Sequence, residues 1–136
     1  MTLDLSALNK AVHSLEEAVT NGCDQQFMSS LTPSQNKLIV SGVIQNFELT
    51  YELCWKFIKR WLAENLGKTH VEGATRRELF RLAATHKLIA SVDDWMFFHQ
   101  ARNQTSHTYD EDTAKEVFSV AQKFVQYAKD LLRILT

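Results

Sequence analysis

The chain has 136 residues, 45% of them apolar, with one proline, four glycines, two cysteines and a formal net charge of −1. A chain of this length buries roughly two thirds of the surface its unfolded form exposes, so a core can form without disulfide or metal staples. The near-neutral charge argues against a protein that coats nucleic acid, and the scarcity of helix breakers points to an all-α fold. No uninterrupted apolar window of about 18 residues is present, which argues against a membrane span.

The N-terminal stretch MTLDLSALNKAVHSLEEA lacks the basic start and apolar block of a signal peptide, which predicts a cytoplasmic protein. A first helix is expected from Asp4 to Thr20, because Leu5, Leu8, Val12, Leu15 and Val19 recur three or four residues apart. Asn21 and Gly22 are expected to end it. Thr32, Pro33 and Gln35 then announce a second helix: a threonine cap, a proline at the first position and the return half of a capping box.

Val40, Ile44, Phe47, Tyr51, Cys54, Ile58 and Trp61 continue that helix towards Asn65 and Gly67, a run of about 30 residues or 45–50 Å. Such a helix outlasts a small core, so it either bends or packs its extra length on another subunit. Thr75 and Glu78 form a second capping box before Leu79, Phe80, Leu82 and Leu88. Ser91 caps a fourth helix, with Asp93 and Asp94 in the first turn and Trp95, Met96, Phe97 and Phe98 behind them. A last helix begins near Asp110 to Thr113 and carries Val117, Ala121, Phe124, Ala128, Leu131 and Leu135. The expected architecture is one domain over 1–136, an antiparallel up-and-down bundle of four to five helices with one long helix.

Charge is uneven along this chain. Residues 1–55 carry two basic and six acidic groups, residues 56–87 eight and three, and the remainder five and seven. The basic middle third is either a solvated helix face or an electrostatic footprint for a phosphate-bearing partner. Cys23 and Cys54 read as reduced and structural, Cys54 lying in an apolar stripe. The large aromatics Trp55, Trp61, Trp95, Phe97 and Phe98 read as core or dimer surface ahead of base-stacking platforms.

The polar run HQARNQTSHTYDED at 99–112 interrupts the last two helices. Arg102 and His107 are five apart, about 140° around a continuous helix, so the helix must end between them for the two to meet. Asn, Thr and Ser supply that ending, and Asp110 or Asp112 caps the final helix. Arg102 offers a donor fork suited to phosphate oxygens, and His107 exchanges a proton near neutral pH, a pairing suited to phosphodiester chemistry without metal. From residues alone a plain helix-capping cluster fits the run equally well. RLAATH, from Arg81 to His86, repeats the spacing within a helical pattern and serves as an internal control. No metal-ligand cluster, H-E-x-x-H or glycine-rich phosphate loop is present, so no cofactor is expected.

RNQTSHTY resembles the R-x4-H-x-Y motif of HEPN proteins. FELTYELCWKFIKRWL at 47–62 and RRELF at 76–80 resemble the nucleotidyltransferase substrate-binding-protein branch of that superfamily, and the likeness extends from LNKAVHSLEEAV to the last helix. Where many relatives carry a basic residue before the FE pair this chain has Asn46, so a phosphate contact from that position is not carried over. The resemblance implies a helical bundle that forms a homodimer and works beside a separate minimal nucleotidyltransferase, whose own catalytic signature this chain lacks. By position it implies a toxin-like ribonuclease in which Arg102 and His107 cleave RNA, Asn103 orients the pair, and Tyr109 accepts AMP from the partner. The alternative it leaves is a subunit without catalysis that positions a nucleotide-containing substrate for the partner.

Overall fold

A computed structural model describes residues 3–136. The described residues form six α-helices and no strand: α1 Ser6–Cys23, α2 Gln25–Ser29, α3 Pro33–Leu66, α4 Arg76–Thr85, α5 Val92–Asn103 and α6 Glu111–Leu135. Two 3-10 turns, Lys68–His70 and Gln104–His107, follow α3 and α5.

The helix starts follow the side chains that define them. Thr32 accepts the Gln35 N–H at 3.2 Å, and the Gln35 amide oxygen accepts the Thr32 N–H at 2.9 Å, satisfying two donors that the first turn of α3 leaves without partners. Thr75 and Glu78 make the same exchange at α4, and the Ser91 hydroxyl accepts from the Asp94 N–H at α5. At 34 residues α3 is about 50 Å long, the longest element of the molecule.

Two helix ends depart from the expectation. The first helix does not stop at Asn21 and Gly22 but runs to Cys23. Gly22 lies inside it because a Cβ there would sit 2.9 Å from the Phe118 ring and 3.2 Å from Val43, so the glycine lets α1 approach α6 and α3. The five-residue α2, capped by the Asp24 carboxylate, comes next and is an element that the apolar spacing does not announce. At the other departure α4 ends at Thr85, short of Leu88. Lys87 takes φ 63°, its N–H bonds to the Ala84 carbonyl at 3.0 Å, and the Leu88 N–H reaches the Ala83 carbonyl at 2.9 Å. This is the doubly bonded helix ending usually built on glycine.

Pairings across the elements give the directions. Ser14 bonds to Asn46, Thr50 to Ala11, and Gly22 lies against Val43, so α1 and α3 are antiparallel. Phe98 meets Phe124 and Asp94 meets Tyr127, so α5 and α6 are antiparallel; Val43 and Phe118 share the contact with Gly22 and Phe47 meets Phe124, so α3 runs parallel to α6 and hence antiparallel to α5. The result is an up-and-down bundle of α1, α3, α5 and α6 with α4 against α3 and α5. Its core centres on Phe124, met edge-on by Phe47 at 5.3 Å, Trp95 at 5.5 Å and Phe98 at 4.9 Å. Such pairs contribute about 0.5–1.5 kcal/mol each beyond their burial. Trp95 and Phe98 are therefore core residues, whereas Phe97 is exposed. Cys54 is buried and Cys23 exposed, both as free thiols, and burial pushes the Cys54 thiol well above its ordinary value.

Candidate functional site

The last turn of α5 faces the middle of α3. Because Glu48 and Glu52 are one turn apart, both carboxylates lie on the α3 face that α5 crosses. Arg102 Nε donates to Glu52 Oε1 at 2.6 Å, and its Nη2 lies 3.5 Å from Glu48 Oε1. The second Glu52 oxygen accepts from Trp55 Nε1 at 3.0 Å. Burial alone would raise the Glu52 carboxyl, but the hydrogen bonds from Trp55 and Arg102 and the Arg102 charge outweigh it and hold the group below its ordinary value. Glu52 therefore stays ionised and fixes the guanidinium in one orientation.

One turn earlier on α5, His99 joins the same network. Arg76, from the start of α4, donates to the Tyr51 hydroxyl at 3.1 Å and stacks its guanidinium 3.7 Å from the centre of the Trp55 ring. The Tyr51 hydroxyl lies 2.9 Å from His99 Nδ1, and Arg76 Nη1, which can only donate, lies 3.5 Å from the same nitrogen, so Nδ1 is assigned the accepting role and Tyr51 donates to it. His99 is thus the Nε2–H tautomer, and burial with the nearby Arg76 charge lowers its pKa from the ordinary value of 6.5. Burial lifts the Tyr51 phenol to about 12. These groups form a continuous polar layer beneath Arg102, with every buried side-chain polar atom among the described residues partnered.

Beyond Arg102 the helix tightens, so the expected ending between Arg102 and His107 is present. Thr105 returns its hydroxyl to the Arg102 carbonyl at 2.8 Å, and Thr108 to the Thr105 carbonyl at 3.1 Å, shaping the 3-10 turn Gln104–His107. His107 closes that turn and is exposed, its ring 6.4 Å from that of Tyr109 and inclined at 70°. Asn103 is exposed and has no side-chain hydrogen bond among the described residues. Tyr109 is 87% exposed, whereas Tyr51 is fully buried and Tyr127 is tied to Asp94 at 2.8 Å. Asp110 then caps α6.

Glu48, Glu52, Tyr51, Arg76 and His99 do not stand out as site residues in the sequence. The available signal is a pair of carboxylates four apart inside an apolar helical stripe, a position that demands a cationic partner. The control pair differs in kind: Arg81 is exposed on α4, while His86 caps that helix with its ring 6.1 Å from Trp61. Asn46 places its amide between α1 and α3, accepting from Ser14 at 2.7 Å and donating to the Gly42 carbonyl at 2.8 Å.

The fold and this site define an all-helical bundle that presents an Arg-x4-His-x-Tyr segment at the C-terminal end of α5. Residues 3–136 match the family described as nucleotidyltransferase substrate binding protein like, and the chain belongs to that family, the branch of the HEPN superfamily its motifs resemble. It is 32% identical over 134 residues to a Haemophilus influenzae protein named probable ribonuclease HepT, covering 98% of this chain and 92% of that one. A solved Haemophilus influenzae structure, described as revealing the fold of a substrate binding domain of a nucleotidyltransferase, superposes with a TM-score of 0.92 at 31% identity, covering 97% of this chain and 98% of that one. A Thermus thermophilus structure superposes with a TM-score of 0.73 at 26% identity, over 94% and 98% of the two chains.

Proposed function

We propose that this chain is the helical subunit of a two-component system with a minimal nucleotidyltransferase, a toxin that cleaves RNA without metal and is silenced when the partner adds AMP to Tyr109. The observation that carries this reading is the division of labour along 102–109. Arg102 is held by carboxylates, His107 is free at the surface, and the exposed Tyr109 stands beside it.

In the proposed reaction the RNA 2′-hydroxyl attacks the adjacent phosphorus and the bond to the 5′-oxygen breaks, leaving a 2′,3′-cyclic phosphate. Arg102 offsets the charge that gathers on the phosphoryl oxygens, and Asn103 orients the Arg102 and His107 pair. Two copies of the motif in a homodimer supply two His107 imidazoles, one to take the 2′-hydroxyl proton and one to return a proton to the leaving 5′-oxygen. The dimer is supported by apolar side chains left open on α3, Leu38 at 70% and Leu49 at 55% exposure, with Phe97 exposed on α5. Sedimentation should give twice the chain mass, and a monomer at all concentrations would remove the shared cleft. One domain over 1–136 working in the cytoplasm completes the reading.

Inactivation follows from the same geometry. The Tyr109 oxygen attacks the α-phosphorus of ATP in the partner's active site, pyrophosphate leaves, and the new phosphate occupies the place beside His107 that an RNA phosphate requires. Expression of the chain alone should arrest growth of a host, and co-expression with the partner should relieve it. Mass spectrometry should then find AMP on the peptide containing Tyr109 and none after Tyr109→Phe. AMP on other residues only would contradict this mode of control.

A second reading has its own support. Glu52 and Glu48 already offset the Arg102 charge, an arrangement suited to orienting a bound substrate as much as to cleaving one. In that case the chain holds a nucleotide-containing substrate for the partner and cuts nothing. Absence of cleavage by a chain that supports nucleotidyl transfer to such a substrate would favour it.

A further inference from the structure

Beyond Trp55 the same face of α3 opens into a groove of about 440 Å³, between the C-terminal half of the helix and the segment that succeeds it. Its walls carry Lys56, Lys59 and Arg60 from α3 and Lys68 from the 3-10 turn, with Glu72 as the one carboxylate. Among the described residues Arg77, Arg102, Lys129 and Arg133 each pair with an acidic side chain, whereas Lys10, Lys37, Arg76, Arg81, Lys87, Lys115 and Lys123 do not and lie scattered along the chain. None of the four groove cations forms such a pair among the described residues.

Three of those cations lie within five residues of one helix, and like charges at such spacing repel. A merely solvated face is usually laced with opposite charges; this one concentrates one sign in a concave surface, which raises the local potential towards an anion. The groove is also continuous with the candidate site. Trp55 lines it, and the same indole donates to Glu52, which holds Arg102. Lys59 lies seven residues beyond Glu52, about 10 Å along the helix axis. A strand with its reacting phosphate at Arg102 therefore brings neighbouring phosphates alongside these cations.

We propose that this groove is the track that holds single-stranded RNA on one side of the cleavage site, by contacts to its phosphates. The proposal rests on the ribonuclease reading for the identity of the strand. It names a binding surface distinct from the Arg102–Tyr109 segment. Backbone contacts of this kind hold any sequence and weaken with salt.

The test uses the full chain with His107→Ala, so that RNA stays intact, and fluorescence anisotropy with a labelled single-stranded RNA. Adding Lys56→Gln, Lys59→Gln and Lys68→Gln, all at exposed positions, should weaken binding at least about tenfold at low salt and flatten the salt dependence of log affinity by about two, from roughly 0.7 for each cation removed. An equal loss of charge elsewhere, Lys10→Gln with Lys123→Gln and Arg133→Gln, should change the affinity much less. Circular dichroism should show both triple variants folded. Unchanged affinity in the groove variant, or equal losses in both variants, overturns the track. If the wild type cleaves RNA while the groove variant binds it normally, the track fails and the ribonuclease reading stands. If the groove variant instead loses only the nucleotidyltransferase partner, the surface is a protein interface and the proposal is likewise overturned.

Discussion

Glu52 on α3 and Arg102 on α5, fifty residues apart in sequence, meet in a 2.6 Å charged hydrogen bond through Arg102 Nε. That contact, with Nη2 of the same guanidinium 3.5 Å from Glu48 Oε1, ties the candidate site to the bundle's longest helix. Both side chains are partly buried, so the bond is screened less than a surface pair.

Glu52→Gln should therefore separate orientation from charge. The amide keeps the shape and frees the Arg102 charge, so RNA should bind as well or better. The cleavage rate should fall about tenfold or more, because misplaced catalytic groups lose rate steeply. The effect should appear in kcat with KM little changed. A pure rise in KM would show that Glu52 serves substrate binding instead.

His99 should leave its mark on stability against pH. Its Nδ1 accepts from Tyr51 and faces Arg76 of α4, with Arg102 on its own helix and only Glu52 of opposite charge nearby. Its folded pKa thus lies below its unfolded one, and in the window below about 6.5 the unfolded chain binds the proton more readily. The stability His99 contributes is complete above that value and is lost as pH falls through the folded pKa. Urea midpoints measured from about pH 7 down to pH 5 should fall more steeply in the wild type than in His99→Gln. Parallel curves would remove His99 from the titration.

Lys87→Gly should stabilise the protein by about 0.5–1 kcal/mol, because φ 63° strains a residue that bears a side chain and leaves glycine unstrained. Thermal unfolding of the two chains decides it. A loss of stability would mean that the Lys87 side chain makes a compensating contact.

The helix starts were legible because each is written in side chains that bond locally: Thr32 with Gln35, Thr75 with Glu78, Ser91 with Asp94. The ends were less so. Gly22 looks like a terminator but is an interhelical contact, and only the positions of Phe118 and Val43 reveal that. Lys87 makes a glycine-type ending without the glycine that would announce it. At the site, Arg102, His107 and Tyr109 stand out because a polar run breaks a helical pattern. Their supports do not, since Glu52, Arg76 and His99 come from three separate helices and acquire meaning only when the bundle brings them together. Tyr109 falls in the polar run and Tyr51 in the apolar stripe of α3, and the structure exposes the first and buries the second.

In the proposed mechanism Arg102 and His107 cleave RNA by acid–base chemistry without metal. Its most direct measurement is cleavage of a single-stranded RNA by the purified chain in excess EDTA, with the ends of the products identified. The wild type and His86→Ala should both leave 2′,3′-cyclic phosphate ends, and His107→Ala and Arg102→Ala should each lose about a hundredfold or more in rate. Activity that needs a divalent metal, or equal losses in His86→Ala and His107→Ala, would contradict it.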